Sequence, residues 1–125
     1  MNRFVRTTAR VLVAACLGLV PVAAQAAGAL AVGNCGAYGF AYDYKQDQAA
    51  RSAALKKCTG TQCKVVAAMR RNCAALAIDG RNVCGAYGFA AASRLGPAQN
   101  SALQQCYRFG GKDCVIRAFV CDAKG

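Results

Sequence analysis

The heptapeptide Cys-Gly-Ala-Tyr-Gly-Phe-Ala stands at residues 35–41 and again, unchanged, at 84–90. An identity of that length within 125 residues marks a duplicated structural unit, so the fold must be one that is built twice from the same parts. Alignment of the two copies extends the match in both directions. Upstream, Ala29-Leu30-Ala31-Val32 corresponds to Ala75-Leu76-Ala77-Ile78. These runs join the heptapeptide through Gly33-Asn34 in the first copy and through Asp79 to Val83 in the second. Each copy therefore reads as a β-hairpin of an apolar and an aromatic strand. Downstream, Ala50, Ala54, Leu55 and Cys58 recur at helical spacing as Ala98, Ala102, Leu103 and Cys106. Asp47 is the expected N-cap of the first helix, and Pro97 falls in the first turn of the second. A strand then closes each copy, at 63–69 and 114–120.

The unit is strand, strand, helix, strand. Two copies, about 28–72 and 73–122, predict an α+β fold: one mainly antiparallel sheet of six strands with two Ala-rich helices packed on it, the halves related by an approximate twofold. No linker or low-complexity segment separates the copies, so one domain is expected. Along the aromatic strand, alternation places Tyr38, Phe40, Tyr42 and Tyr44 on one face and the small residues on the other. Large rings set against the Ala-rich helices make complementary volumes, so these aromatics read first as core. Tyr42 and Tyr44 have no counterpart in the second copy and are the candidates for an exposed ligand surface.

The chain begins with Arg3, Arg6 and Arg10 and no acid, continues into the apolar run 11–20, and reaches the small-residue site Ala24-Gln25-Ala26. That pattern predicts a signal peptide at 1–26, cleaved before Ala27, and a periplasmic or secreted mature domain at 27–125. Cys16 resembles the acylated cysteine of a lipobox, but cutting there would leave an apolar core shorter than the roughly 7 residues a signal needs. Eight cysteines remain after the signal: Cys35, Cys58, Cys63, Cys73, Cys84, Cys106, Cys114 and Cys121. An even number in a small exported chain predicts four disulfides. Pairs that have an equivalent in each copy would be Cys58–Cys63, Cys106–Cys114, Cys35–Cys73 and Cys84–Cys121, one choice among about 105.

Of sixteen Lys and Arg, three fall in the signal; the remaining thirteen face five Asp, a net +8 with no Glu and no His. Such a chain favours anionic partners, and Arg70, Arg71 and Arg81 join the two tyrosines as candidate ligand-surface residues. The absence of His removes Ser-His-Asp and Cys-His catalysis and His-ligated metals. Asp43 and Asp47 form the one close carboxylate pair and read as a turn residue and a helix cap rather than a glycosidase pair. No catalytic residue, metal site or cofactor is expected, and export argues against nucleic acid as a partner.

The Gly-flanked aromatic strands, the Ala-Leu-x-x-Cys helix ends at 54–58 and 102–106, and Cys63-x-Val-Val together resemble a family of exported bacterial proteins known as domain of unknown function 4189. The resemblance spans nearly the whole of 27–125. It implies a small secreted or periplasmic disulfide-bonded domain and brings no activity with it. Members often carry Trp in the aromatic strands, where this chain has none, and Cys35 and Cys84 are additional. The expected function is a rigid, basic binding module, not an enzyme, for an anionic envelope polymer or a protein partner. The alternatives are an effector acting on host or competitor membranes, and an inhibitor of an envelope hydrolase using the insertion Asp79 to Val83.

Overall fold

Strand β1 (Ala27–Val32) pairs with β2 (Tyr38–Tyr44), helix α1 (Asp47–Lys57) follows, and β3 (Lys64–Arg70) returns to the other edge of β1. The second half repeats the path with β4 (Cys73–Asp79), β5 (Tyr87–Ala92), α2 (Leu95–Arg108) and β6 (Cys114–Cys121). The computed structural model describes Gly18 and residues 27–122; apart from Gly18, the expected signal segment, with Cys16, lies outside them. The α+β class, the order of elements, the antiparallel pairing and the two helices are as expected.

The sheet arrangement differs from the expectation. The six strands form two three-stranded sheets, ordered β2-β1-β3 and β5-β4-β6. The reason lies in the central strands, which are buried along their whole length. Strands covered on both faces read as continuous apolar runs, and the size of the side chain, rather than polarity, alternates. In β1 the small residues Ala27, Ala29 and Ala31 meet Ala50 and Ala54 of α1. The large residues Leu30 and Val32 meet Leu76 and Ile78 of β4, together with Met69 and Val120. Ala75 and Ala77 face Ala98 and Ala102 of α2 in the same way. The result is four layers, helix, sheet, sheet, helix, with the bulkiest apolar layer between the sheets.

Small residues allow the helices to approach the sheets closely. A Cβ on Gly39 would overlap the Ala54 carbonyl and the Cys58 amide, and one on Gly88 would overlap the same groups of Ala102 and Cys106. The rings do not pack against the helices as expected; instead the glycine of Tyr-Gly-Phe admits the helix backbone, and the rings on the opposite face pack on the core between the sheets.

Two of the expected disulfides are present, Cys58–Cys63 and Cys106–Cys114, each tying a helix end to the start of the next strand. The other two expected pairs are wrong: the bonds are Cys35–Cys84 and Cys73–Cys121. Cys73 and Cys121 lie opposite each other on β4 and β6, at the register position that Ala27 and Arg70 occupy in the first sheet. Cys35 and Cys84 hold the same place in the two heptapeptides. A bond between equivalent residues of the two copies is its own counterpart, so Cys35–Cys84 satisfies the duplication without a second bond.

Asp47 is the first residue of α1 rather than its cap; Gln46 precedes the helix, and Asp47 instead accepts from Arg70 Nη2 at 3.0 Å. Pro97 lies in the first turn of α2 as expected.

Candidate functional site

Strand β2 is an edge strand, and the rings on its inter-sheet face form a row, with Tyr38 and Phe40 half-buried against the core between the sheets. Tyr38 and Phe40 have centroids 6.0 Å apart and nearly parallel planes; Phe40 and Tyr42 follow at 6.4 Å. Beside them opens a cleft of about 540 Å³, lined also by Lys57 at the end of α1, Thr59, and Arg117 from β6 of the opposite half. The guanidinium of Arg117 sits 5.5 Å from the Tyr38 ring centroid, and its Nε donates to the Gly36 carbonyl at 3.4 Å. A cation over an aromatic face is held by the ring quadrupole, so this charge has a fixed position at the cleft wall.

The second half has the equivalent cleft, about 450 Å³, between Tyr87, Phe89, Gln105 and Phe109. Gly85, Ala86, Tyr87 and Phe89 take the places of Gly36, Ala37, Tyr38 and Phe40, and Gln105 that of Lys57. Here Gln105 Oε1 accepts from the Phe89 amide at 2.6 Å, closing the edge of β5. Lys57 carries no acceptor and cannot do the same for Phe40. The two clefts thus share a shape and differ in character: one is cationic, the other lacks charge and ends on Phe109, an exposed ring. Between them lies a third opening of about 370 Å³, walled by Cys35, Cys84, Asn34, Gln62 and Lys64 and sharing Gly36 with the first cleft and Tyr87 with the second.

The residues expected to form a ligand surface are not brought together. Tyr42 is exposed and lines the cationic cleft. Tyr44 does not share its face. Asp43 adopts a left-handed conformation (φ 58°), the register of β1 and β2 slips between Ala27 and Ala29, and Tyr44 swings to the helix side against α1. Arg70 is paired with Asp47, and Arg71 lies in the β3–β4 turn with φ 53°. Arg81 lies in the β4–β5 turn, its Nε 3.9 Å from Asp113. Sequence reasoning missed Lys57 and Arg117. Arg117 had a legible signal: it stands where the first copy has Val66, a cation in place of a core residue.

The carboxylates keep away from all three openings. Asp79 is buried at the head of the inserted turn and accepts from the amides of Arg81 (3.0 Å) and Lys112 (3.3 Å). The Arg81 amide above all, with Lys112 adding to it and burial opposing, holds its pKa below the usual carboxylate value. Asp122 is buried too, with Oδ1 accepting from the Asn72 amide at 2.8 Å. Among the described residues no cluster of three or more Cys, His, Asp or Glu is placed to hold a metal ion, and no helix is long and apolar enough to cross a membrane.

The molecule is, by class, a disulfide-stapled α+β domain made of two helix-backed sheets. It belongs to the family described as "Domain of unknown function (DUF4189)", whose model matches residues 27–121. No curated protein matches the chain. Among solved structures, the NMR structure of Rv1813c from Mycobacterium tuberculosis is similar, with 26% identity over 97% of this chain and 96% of that one and a TM-score of 0.57.

Proposed function

We propose that this protein is an exported, non-enzymatic binding module that holds an anionic envelope polymer in the cleft of Tyr38, Phe40, Tyr42, Lys57 and Arg117. Four disulfides in a small domain suit an oxidising compartment outside the cytoplasm, and the first residue matched by the family is Ala27, where signal cleavage is expected. The observation that carries the reading is the composition of the cleft: a row of rings with two cations on its walls and no carboxylate among its lining residues. Rings supply contact area at low entropic cost, and the two cations select for negative charge. The net +8 of the segment 27–125 steers such a polymer towards the surface.

The test is co-sedimentation of the exported protein with envelope polysaccharide at low and high salt, for the wild type and a Lys57→Ala/Arg117→Ala variant. Retention at low salt that is lost in the variant is the expected result. Equal retention of wild type and variant, or no retention at low salt, would sink the proposal.

A further inference from the structure

The four bridges are not alike in exposure. Cys106 and Cys114 are both buried, and Cys58 and Cys73 are buried halves of their bonds. Cys35 and Cys84 are both exposed, and the opening of about 370 Å³ has the two half-cystines in its wall. Three further observations bear on this bond. Cys35 sits in a left-handed conformation (φ 55°), which side-chain-bearing residues rarely adopt, inside a tight turn closed by Gly33 and Ala37. Lys64 and no carboxylate lines the opening, so an incoming thiolate meets a cation and no repelling charge. The bond also joins halves whose ladders each close within their own sheet.

We propose that Cys35–Cys84 is a site of thiol–disulfide exchange, open to an external dithiol, while the other three bonds are structural. A thiolate of the dithiol attacks one sulfur of the bond. The Cys35–Cys84 bond breaks as the mixed disulfide forms, and the released cysteine takes up a proton. The second thiol of the dithiol then attacks its own partner sulfur, leaving as a disulfide and freeing the remaining cysteine; the protein gains two electrons and two protons, which the dithiol loses. The consequence falls on both clefts. Gly36 adjoins Cys35 and Gly85 adjoins Cys84, and these glycines line the two clefts, so the bond is anchored beside one wall of each. The exchange stands whether or not the cationic cleft holds a polymer.

The experiment is graded reduction of the folded, oxidised protein with dithiothreitol, trapping with N-ethylmaleimide, and mapping of the labelled cysteines by peptide mass. Label is expected on Cys35 and Cys84 together, at a dithiothreitol concentration about tenfold below that which labels any other cysteine. First label on another pair, or all eight cysteines labelled in one step, would overturn the proposal. A Cys35→Ser/Cys84→Ser variant should lose that first step and keep the later ones; persistence of an early step in it would count equally against the assignment. Should that variant fail to fold, the order of labelling in the wild type still decides.

Discussion

Gly39 faces the carbonyl of Ala54 at a separation that leaves no room for a Cβ. Gly88 stands in the same relation to Ala102, so the closeness of helix to sheet is the same in both halves. Gly39→Ala and Gly88→Ala should each force the helix outward, at a cost of about 1–3 kcal/mol as for an overpacked core. Ser52, exposed in the middle of α1, supplies the control: Ser52→Ala should be neutral or stabilising by up to about 0.5 kcal/mol. Urea midpoints of the three variants against wild type would show it; equal effects at all three positions would contradict the packing argument.

Arg117 reaches across from β6 to the Tyr38 ring and the Gly36 carbonyl. Arg117→Ala removes both contacts from a partly exposed site, and about 1 kcal/mol of stability should go with them. Arg117→Lys keeps the charge but loses the planar stacking and the Nε donor. The lysine variant should therefore recover salt-dependent polymer retention better than it recovers the urea midpoint. Parallel recovery of both would mean that the charge alone matters.

The turn at Asp79 makes a prediction in pH. Its carboxylate is held below the ordinary carboxylate pKa by the amides of Arg81 and Lys112. A depressed folded-state pKa means that the charged form stabilises the fold at pH above about 3.9, the unfolded value, and that this contribution fades as pH falls through the folded value. Asp79→Asn removes the titration. Wild type should therefore be the more stable at pH 7, and the difference should shrink as pH falls below about 4. Urea unfolding of both proteins across that range would measure it, and a constant difference would refute the assignment.

How much of this was legible in the sequence follows from which interactions are local. The two short-range bridges, the two helices and the order of elements along the chain could be read because each depends on residues near one another in the chain and is stated twice. The division into two sheets could not be read the same way: the alternation of Ala with Leu and Val in β1, and with Leu and Ile in β4, fits a strand covered on both faces, but does not say whether a sheet or a helix covers the second face. The turning of Tyr44 depends on the left-handed Asp43, a backbone choice that alternation cannot anticipate. The cationic cleft needed Arg117 to be brought from the second half to Tyr38 of the first, a contact 79 positions apart in numbering that no local pattern encodes.

The bridge Cys73–Cys121 gives the last prediction, because the protein contains its own control. At the corresponding register of the first sheet, Ala27 faces Arg70 with no bond, and β1 pairs with β3 in the same register as β4 with β6. The native geometry therefore does not require the sulfurs, and the contribution of the bond lies in the unfolded chain, whose freedom it restricts. With 48 positions between the two cysteines, loop closure gives about 4 kcal/mol, against about 2 kcal/mol for the Cys58–Cys63 bond, whose partners are 5 apart. Cys73→Ala/Cys121→Ala should lower stability roughly twice as much as Cys58→Ala/Cys63→Ala, while leaving far-ultraviolet circular dichroism unchanged. Calorimetric or urea unfolding of the two variants checks the order. If loss of the short bridge is the more damaging, then Cys58–Cys63 acts by fixing the end of α1 in the native state, and chain entropy is not the governing effect.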